Sequence, residues 1–261
     1  MIFKISCIQM DIKFGDSSEN FKEAERTIAA AASIQADIAV LPELWTTGYD
    51  LLNLNKTADH GARESLAFLS RMAKQHGMHI VGGSVANRTD NGVENTMLVV
   101  DKGGTPVLMY SKSHLFKLMD EHLYLTAGSG KGNFELDGRQ LAGLICYDIR
   151  FPEWIRAHTA IGAELLFVVA EWPLKRVDHW RALLIARAIE NQCYVVACNR
   201  TGSDPNNVFA GHSMVIDPWG DVVAEAGEGA EILTAEIDLE RVAEVRKQIP
   251  VFTDRRPDLY N

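Results

Sequence analysis

Long apolar runs are missing from this sequence. Its longest hydrophobic stretches, Leu165 to Ala170 and Cys193 to Cys198, hold six residues each, against the ~20 needed to cross a bilayer, so no membrane-spanning segment is expected. The start, MIFKISCIQMDIKFGD, carries Lys4 inside its apolar stretch and has no small-residue cleavage site; it reads as a first strand and not a secretion signal. Positive charge is scarce, with 26 Lys and Arg against 35 Asp and Glu for a net −9, and no Lys/Arg run occurs. Such a surface repels phosphate backbones and argues against nucleic acid as a partner. The four cysteines, Cys7, Cys146, Cys193 and Cys198, form no CxxC and no Cys/His metal spacing. Three of them are expected to be small buried hydrophobes in a reducing, cytoplasmic compartment. His76 and His79 flank a glycine without a carboxylate set, which gives no metal site. Repeats, low-complexity tracts and linkers are absent too.

What is present suits a packed enzyme-sized domain. A chain of 261 residues with 47% hydrophobic content can bury a large core without disulfides or metal, and residues 1–261 are expected to form one domain. Lys4 to Met10 and Ala36 to Leu41 read as strands around a helix that starts near Asp16, where Asp16 and Glu19 have capping-box spacing and Phe21, Ala24, Ile28 and Ala32 share a face. A second helix, about Arg63 to His76, stops at Gly77 and gives way to a strand over Met78 to Ala86. Hairpin chemistry follows at Gly103 and Gly104, between Asn95 to Asp101 and Pro106 to Lys112. Further strands are expected at NFELD, RQLAGLIC, Glu164 to Ala170 and Cys193 to Asn199, with helices at about Pro152 to Ile161 and Asp178 to Glu190, then closing hairpins and a short helix after Asp238. The pattern predicts an α/β fold with mixed sheets and helices outside. On the segment from Asp178 to Glu190, Ala182, Ile185, Ala186 and Ile189 form an apolar stripe, and Trp180, Leu183 and Leu184 extend it around most of the circumference. A helix so apolar is buried on more than one side and suits an oligomer interface.

Three extended runs end on reactive side chains: IAVLPE at Glu43, VLMYSK at Lys112 and LAGLIC at Cys146. Ligands in α/β sheets bind outside the carboxyl ends of strands, so groups placed there converge on one pocket although distant in sequence. Pro42 keeps Leu41 extended and ends sheet pairing, which delivers Glu43 just past its strand. Together the three form an acyl-transfer set. The ammonium lowers the thiol pKa and faces the developing oxyanion; the carboxylate takes the thiol proton and hands it to a leaving amine.

The stretches LPELWTTGYD (Leu41 to Asp50), YSKSHLF (Tyr110 to Phe116) and GLICYDIRFPEW (Gly143 to Trp154) resemble the glutamate, lysine and cysteine motifs of the nitrilase superfamily of carbon-nitrogen hydrolases. LLIARAIENQCYVVACN, GHSMVIDPWG and IPVFTDRRPDLY extend the resemblance over nearly the whole chain, and CYDIRFPE is most similar to the ω-amidase (2-oxoglutaramate amidase) branch. The resemblance implies a four-layer αββα sandwich with two mixed β-sheets. It implies Cys146 as nucleophile, Glu43 as general base, Lys112 as oxyanion-stabilising cation and Glu121 as a second glutamate, with adjacent Asp120 the competing assignment. The Tyr147 N–H would be the second oxyanion donor. No metal or organic cofactor is required.

Tyr49, Phe116 and Trp172 are candidates to wall the substrate pocket. Arg150 either clamps a substrate carboxylate or pairs with Glu153 at helix spacing. His114 is expected to orient the lysine loop, and His179 and His212 to be polar core partners. The implied reaction is hydrolysis of a small ω-amide of a 2-oxo acid, such as 2-oxoglutaramate, by a dimer or larger homo-oligomer. Hydrolysis of N-carbamoyl amines or other aliphatic amides, and a non-catalytic binding protein of the same fold, are the alternatives.

Overall fold

The computed structural model describes residues 1–260. The first sheet is built from β1 (Ile2–Gln9), β2 (Ile38–Val40), β3 (Asp59–His60), β4 (His79–Thr89), β5 (Gly92–Val100) and β6 (Pro106–Ser111). The second comprises β7 (Asn133–Leu136), β8 (Arg139–Ile145), β9 (Leu165–Ala170), β10 (Tyr194–Asn199), β11 (Met214–Ile216) and β12 (Val222–Glu225). The chain then returns to the first sheet as β13 (Glu231–Asp238), antiparallel to β1. Strand orders are β13-β1-β2-β4-β5-β6, with β3 beside β4, and β12-β11-β10-β9-β8-β7. Each sheet has a parallel centre, β1-β2-β4 in one and β8-β9-β10 in the other, flanked by antiparallel strands.

Helices α1 (Ser17–Ser33) and α2 (Leu54–Thr57) precede α3 (Arg63–His76), and α4 (Glu121–Tyr124) follows β6. Helices α5 (Pro152–Thr159) and α6 (Val177–Asn191) belong to the second sheet, and α7 (Glu240–Gln248) and α8 (Val251–Asp254) close the chain. Strand alternation fixes the layers. Ile5, Cys7, Val40, Val81, Met97 and Val99 face the second sheet, meeting Ile145, Phe167 and Val196 in one apolar core. Their neighbours Ile8, Ala39, Ile80 and Leu98 face the other way, onto α1 and α3. Central strands thus bury both faces, which is why they read as unbroken apolar runs. Helices α5 and α6 cover the outside of the second sheet, completing α-β-β-α.

Helix α1 begins as its sequence requires, with Asp16 Oδ1 accepting from the Glu19 N–H at 3.1 Å. Helix α6 departs from expectation. Its buried face is Trp180, Leu184, Arg187, Ala188 and Asn191, whereas Ala182 and Ile189 are exposed and Ile185 and Ala186 half-buried. Periodicity locates apolar faces but cannot say which one is covered when nearly the whole circumference is apolar. Cys7, Cys193 and Cys198 are fully buried. No described helix is long and apolar enough to cross a membrane.

Candidate active site

The carboxyl ends of β2, β6, β8 and β9 gather at one end of the sandwich. Glu43 reaches that point through a bulge in β4, where the register shifts between Val81 and Ser84. Gly83, at φ +59°, lets the Pro42 carbonyl approach so closely that a Cβ there would lie 2.0 Å from the oxygen. The Ser84 N–H then donates to Pro42 O at 3.2 Å, and Ser84 Oγ accepts from the Leu44 N–H at 2.9 Å. Lys112 follows β6 directly, its N–H on Asn95 O at 2.8 Å. Cys146 follows β8 and opens a tight turn over Cys146–Arg150 at φ +44°, a left-handed conformation that costs a non-glycine residue about 1 kcal/mol or more. That strain lifts the sulfur out of the strand direction toward the opposing sheet. The site therefore lies between the rims of two sheets, not at the rim of one.

Lys112 Nζ donates to Glu43 Oε1 at 2.9 Å and to Glu121 Oε1 at 2.6 Å, with all three side chains fully buried. The Tyr49 hydroxyl sits between the carboxylates, 2.5 Å from Glu121 Oε1 and 3.2 Å from Glu43 Oε1. Asn95 Nδ2 donates to Glu43 Oε1 at 2.8 Å, and the Glu171 N–H donates to Glu43 Oε2 at 2.8 Å. Glu121 Oε2 accepts from the Phe116 N–H at 2.7 Å. The competing Asp120 is exposed, so Glu121 is the acid that joins the cluster.

Burial alone would push the Lys112 ammonium down, but Glu121 and Glu43 outweigh it and hold its pKa well above the ordinary value. Burial raises Glu121, opposed by Lys112. The Cys146 thiol is pushed well up by burial and by the Glu43 carboxylate beside it, against the pull of Lys112. This reverses the expected lowering: burial of the thiol, joined by the two carboxylates, outweighs one ammonium. The resting group is a protonated thiol facing a base, and its proton leaves as the sulfur attacks.

Beside Cys146 lies a narrow pocket of about 10 Å³, walled by Phe116, Tyr147 and Trp172, with Arg150, Arg176 and Glu171 on its lining. Phe116 and Tyr147 pack with ring centroids 4.6 Å apart. The Arg150 guanidinium lies over Trp172 at 4.8 Å and donates to His179 Nδ1 at 3.3 Å, with no bond to Glu153. Cation–π stacking and a helix start that points Glu153 to solvent replace the expected pairing. Tyr49 gives its hydroxyl to the two glutamates and lines a neighbouring cleft with Asp50 and Met119, Met119 being shared with the pocket at Cys146. His179 is exposed and His212 half-buried on Glu225 at 2.8 Å, so neither is a core partner.

Several residues escaped the sequence reading. Asp148 ties the cysteine turn to the lysine loop: Oδ2 accepts from the Ile145 N–H at 3.0 Å and the Tyr110 hydroxyl at 2.7 Å, and Oδ1 lies 2.7 Å from His114 Nδ1. His114 also stacks on Phe151 at 3.8 Å. Glu171, first residue after β9, accepts from the buried Arg200 Nη1 at 2.9 Å. An apolar strand ending on a charged residue is the signal that marked Glu43 and Lys112. It marks Glu171 equally well, after LLFVVA.

An acid–ammonium–acid cluster beside a strained cysteine, at the strand ends of an αββα sandwich, defines a thiol-dependent acyl-transfer centre. The chain belongs to the carbon-nitrogen hydrolase family, which it matches over residues 4–247. It is 61% identical over 260 residues to the 2-oxoglutaramate amidase of Bacillus subtilis, covering 100% of both chains. It is 37% identical over 253 residues to the omega-amidase YafV of Escherichia coli K12, covering 96% of each. The structure superposes with a TM-score of 0.92 on XC1258 of Xanthomonas campestris, a CN-hydrolase superfamily protein with an arsenic adduct in its active site, at 33% identity and 98% coverage of each chain.

Proposed function

We propose that this chain folds as one domain and hydrolyses the ω-amide of a small 2-oxo dicarboxylic acid, 2-oxoglutaramate in particular, to the dicarboxylate and ammonia. The observation that carries the chemistry is the Glu43–Lys112–Glu121 cluster, bonded at 2.6–2.9 Å beside Cys146. Cys146 Sγ attacks the amide carbon while its proton passes to Glu43. Lys112 Nζ and the Tyr147 N–H face the oxyanion. Glu43 returns the proton to nitrogen, the C–N bond breaks, ammonia leaves and a thioester remains. Water gives a proton to Glu43 and attacks the thioester; collapse releases the carboxylate and returns the proton to sulfur. Glu121, through Lys112 and Tyr49, holds the ammonium in place.

Substrate class is supported by the cavity and by the relatives. Arg150 and Arg176 are the two cationic residues of a mostly apolar lining, and their guanidiniums are suited to a carboxylate at the far end of the molecule. Ammonia release from 2-oxoglutaramate, glutamine, asparagine, N-carbamoyl-β-alanine and a simple nitrile tests the reading. Strong preference for 2-oxoglutaramate is expected; release of carbon dioxide with ammonia from the carbamoyl compound as best substrate would overturn it.

We also infer a cytoplasmic homodimer that meets across the exposed stripe of α6. Ala182, Ile185, Ala186 and Ile189 carry no charge, and Ile189 packs at the Gly220 turn beside exposed Trp219. On a molecule of net −9 an uncharged patch lets two copies approach with little mutual repulsion. Sedimentation should give a dimer for the native chain and a monomer for Ile189→Asp.

A further inference from the structure

Glu171, on the lining of the Cys146 pocket, is a buried group whose polar end is only half used. Its side chain is fully buried. Oε2 is held by Arg200 Nη1 at 2.9 Å, while Oε1 is buried without a hydrogen-bond partner. Arg200 cannot drift to relieve it. Its Nε donates to Thr201 O at 3.0 Å, its Nη2 to Ile12 O at 2.7 Å, and its plane lies 4.1 Å over Phe209. The backbone N–H of Glu171 is fixed on Glu43. A locked carboxyl with one buried oxygen left over is costly to keep, and a ligand that completes it is one way such a group is accounted for.

We propose that Glu171 is a specificity-determining residue, its free Oε1 being the hydrogen-bonding partner of the substrate's 2-oxo oxygen. This rests on the amidase reading above and deepens it. Cys146, Arg150, Arg176 and Glu171 share one lining, so a substrate with its amide at Cys146 and its carboxylate at the guanidiniums lies within the pocket that Glu171 helps to form. A 2-oxo oxygen only accepts, so its partner must donate, and a neutral carboxylic acid does: Oε2 accepts from Arg200 while Oε1–H points to the ligand. A 2-amino acid such as glutamine presents an ammonium, which needs an acceptor and is left facing a donor.

The surroundings favour the neutral form. Burial pushes the Glu171 carboxyl up to about 8, Arg200 pulling it down and Glu43 and Asp204 pushing it further up. Arg150, Arg176 and Cys146 line the same pocket. Ionisation turns Oε1 into an acceptor, so raising the pH trades 2-oxo for 2-amino substrates.

The test compares kcat/KM for 2-oxoglutaramate with that for succinamate, the ω-amide acid of one carbon less and no 2-oxo group. Glu171→Met should lower the ratio at least tenfold. Glu171→Gln keeps an acceptor for Arg200 and an N–H donor for the cavity, so it should hold the ratio near the native value. It also keeps the test alive if the methionine variant fails to fold: the native ratio should fall from pH 7 to pH 9, and that of Glu171→Gln should stay flat. An unmoved ratio in a folded Glu171→Met, or parallel pH profiles for native enzyme and Glu171→Gln, overturns the proposal alone. Failure to release ammonia from either compound sinks the amidase reading, and this one with it.

Discussion

A buried charge cluster and a half-buried one lie side by side here, and they are built to different plans. Around Lys112 every charge has an opposite neighbour, and both Glu43 oxygens and both Glu121 oxygens accept hydrogen bonds. Across the cavity, Arg150 and Arg176 are held over Trp172 and Phe116 by stacking, and Glu171 keeps an unpartnered oxygen. The first plan fixes atoms that must not move when charge develops, since preorganised dipoles cost nothing at the moment of reaction. The second leaves capacity open for a molecule that arrives from water. The catalytic carboxylates are satisfied in advance, and recognition is completed by the ligand.

The sharpest way to break that contrast is to unpair the saturated cluster. Lys112→Met should abolish ammonia release and destabilise the fold by about 3–5 kcal/mol, because two buried carboxylates lose their cation. Cys146→Ala should lower turnover by ~10⁴ or more without moving the melting temperature downward beyond a small cavity cost. A lysine variant as stable as the native chain in urea titration would mean that the cluster is not the charge-balanced unit described here. Asp148→Asn comes next. It keeps an acceptor but loses the charge that serves Tyr110, His114 and Ile145 together, so kcat should fall roughly tenfold, the rate equivalent of ~1.4 kcal/mol, with KM little changed.

The same contrast explains what could be read from the sequence. Glu43, Lys112 and Cys146 announce themselves because apolar strands end on them, and the layered α/β order follows from strand and helix periods. Glu171 carries the same mark after β9 and was passed over, because a glutamate at a strand end has no chemistry until a cysteine is known to lie beside it. Asp148 and Asn95 had no mark at all. Their roles depend on the approach of two sheets, which no local pattern records. The cysteine pKa was misjudged for a related reason: spacing shows which charges are available, and only burial decides which of them wins. On α6 the apolar stripe was legible, but its outward direction is set by Trp180 and Leu184 claiming the core.

Emptying the recognition side should have a smaller and differently shaped effect. Arg150→Gln and Arg176→Gln each remove one charge-assisted contact worth about 1.5–3 kcal/mol to a substrate carboxylate. Each should lower kcat/KM some 10–100-fold through KM, leaving kcat within a few-fold of native. For a neutral amide such as butyramide the same variants should change little. A loss that is equal for charged and neutral amides would place the two guanidiniums in the fold and not in recognition.

The last effect is one of stability. A Glu171 carboxyl at its ordinary value of 4.5 in the unfolded chain and near 8 in the folded one binds more protons when folded across that interval. Stability from this group is therefore complete below about pH 4.5 and is lost as pH rises through 8. Glu171→Gln has nothing to titrate, so its melting temperature relative to the native chain should climb between pH 6 and pH 9, by ~2–4 °C for each kcal/mol recovered. Were Arg200 to dominate, the carboxyl would stay ionised throughout, the difference would be flat over that range, and any change would come on acidification below pH 4.5. Thermal melts of the two proteins at pH 4, 6 and 9 separate the cases. They show whether the open oxygen in the cavity carries a proton before substrate arrives.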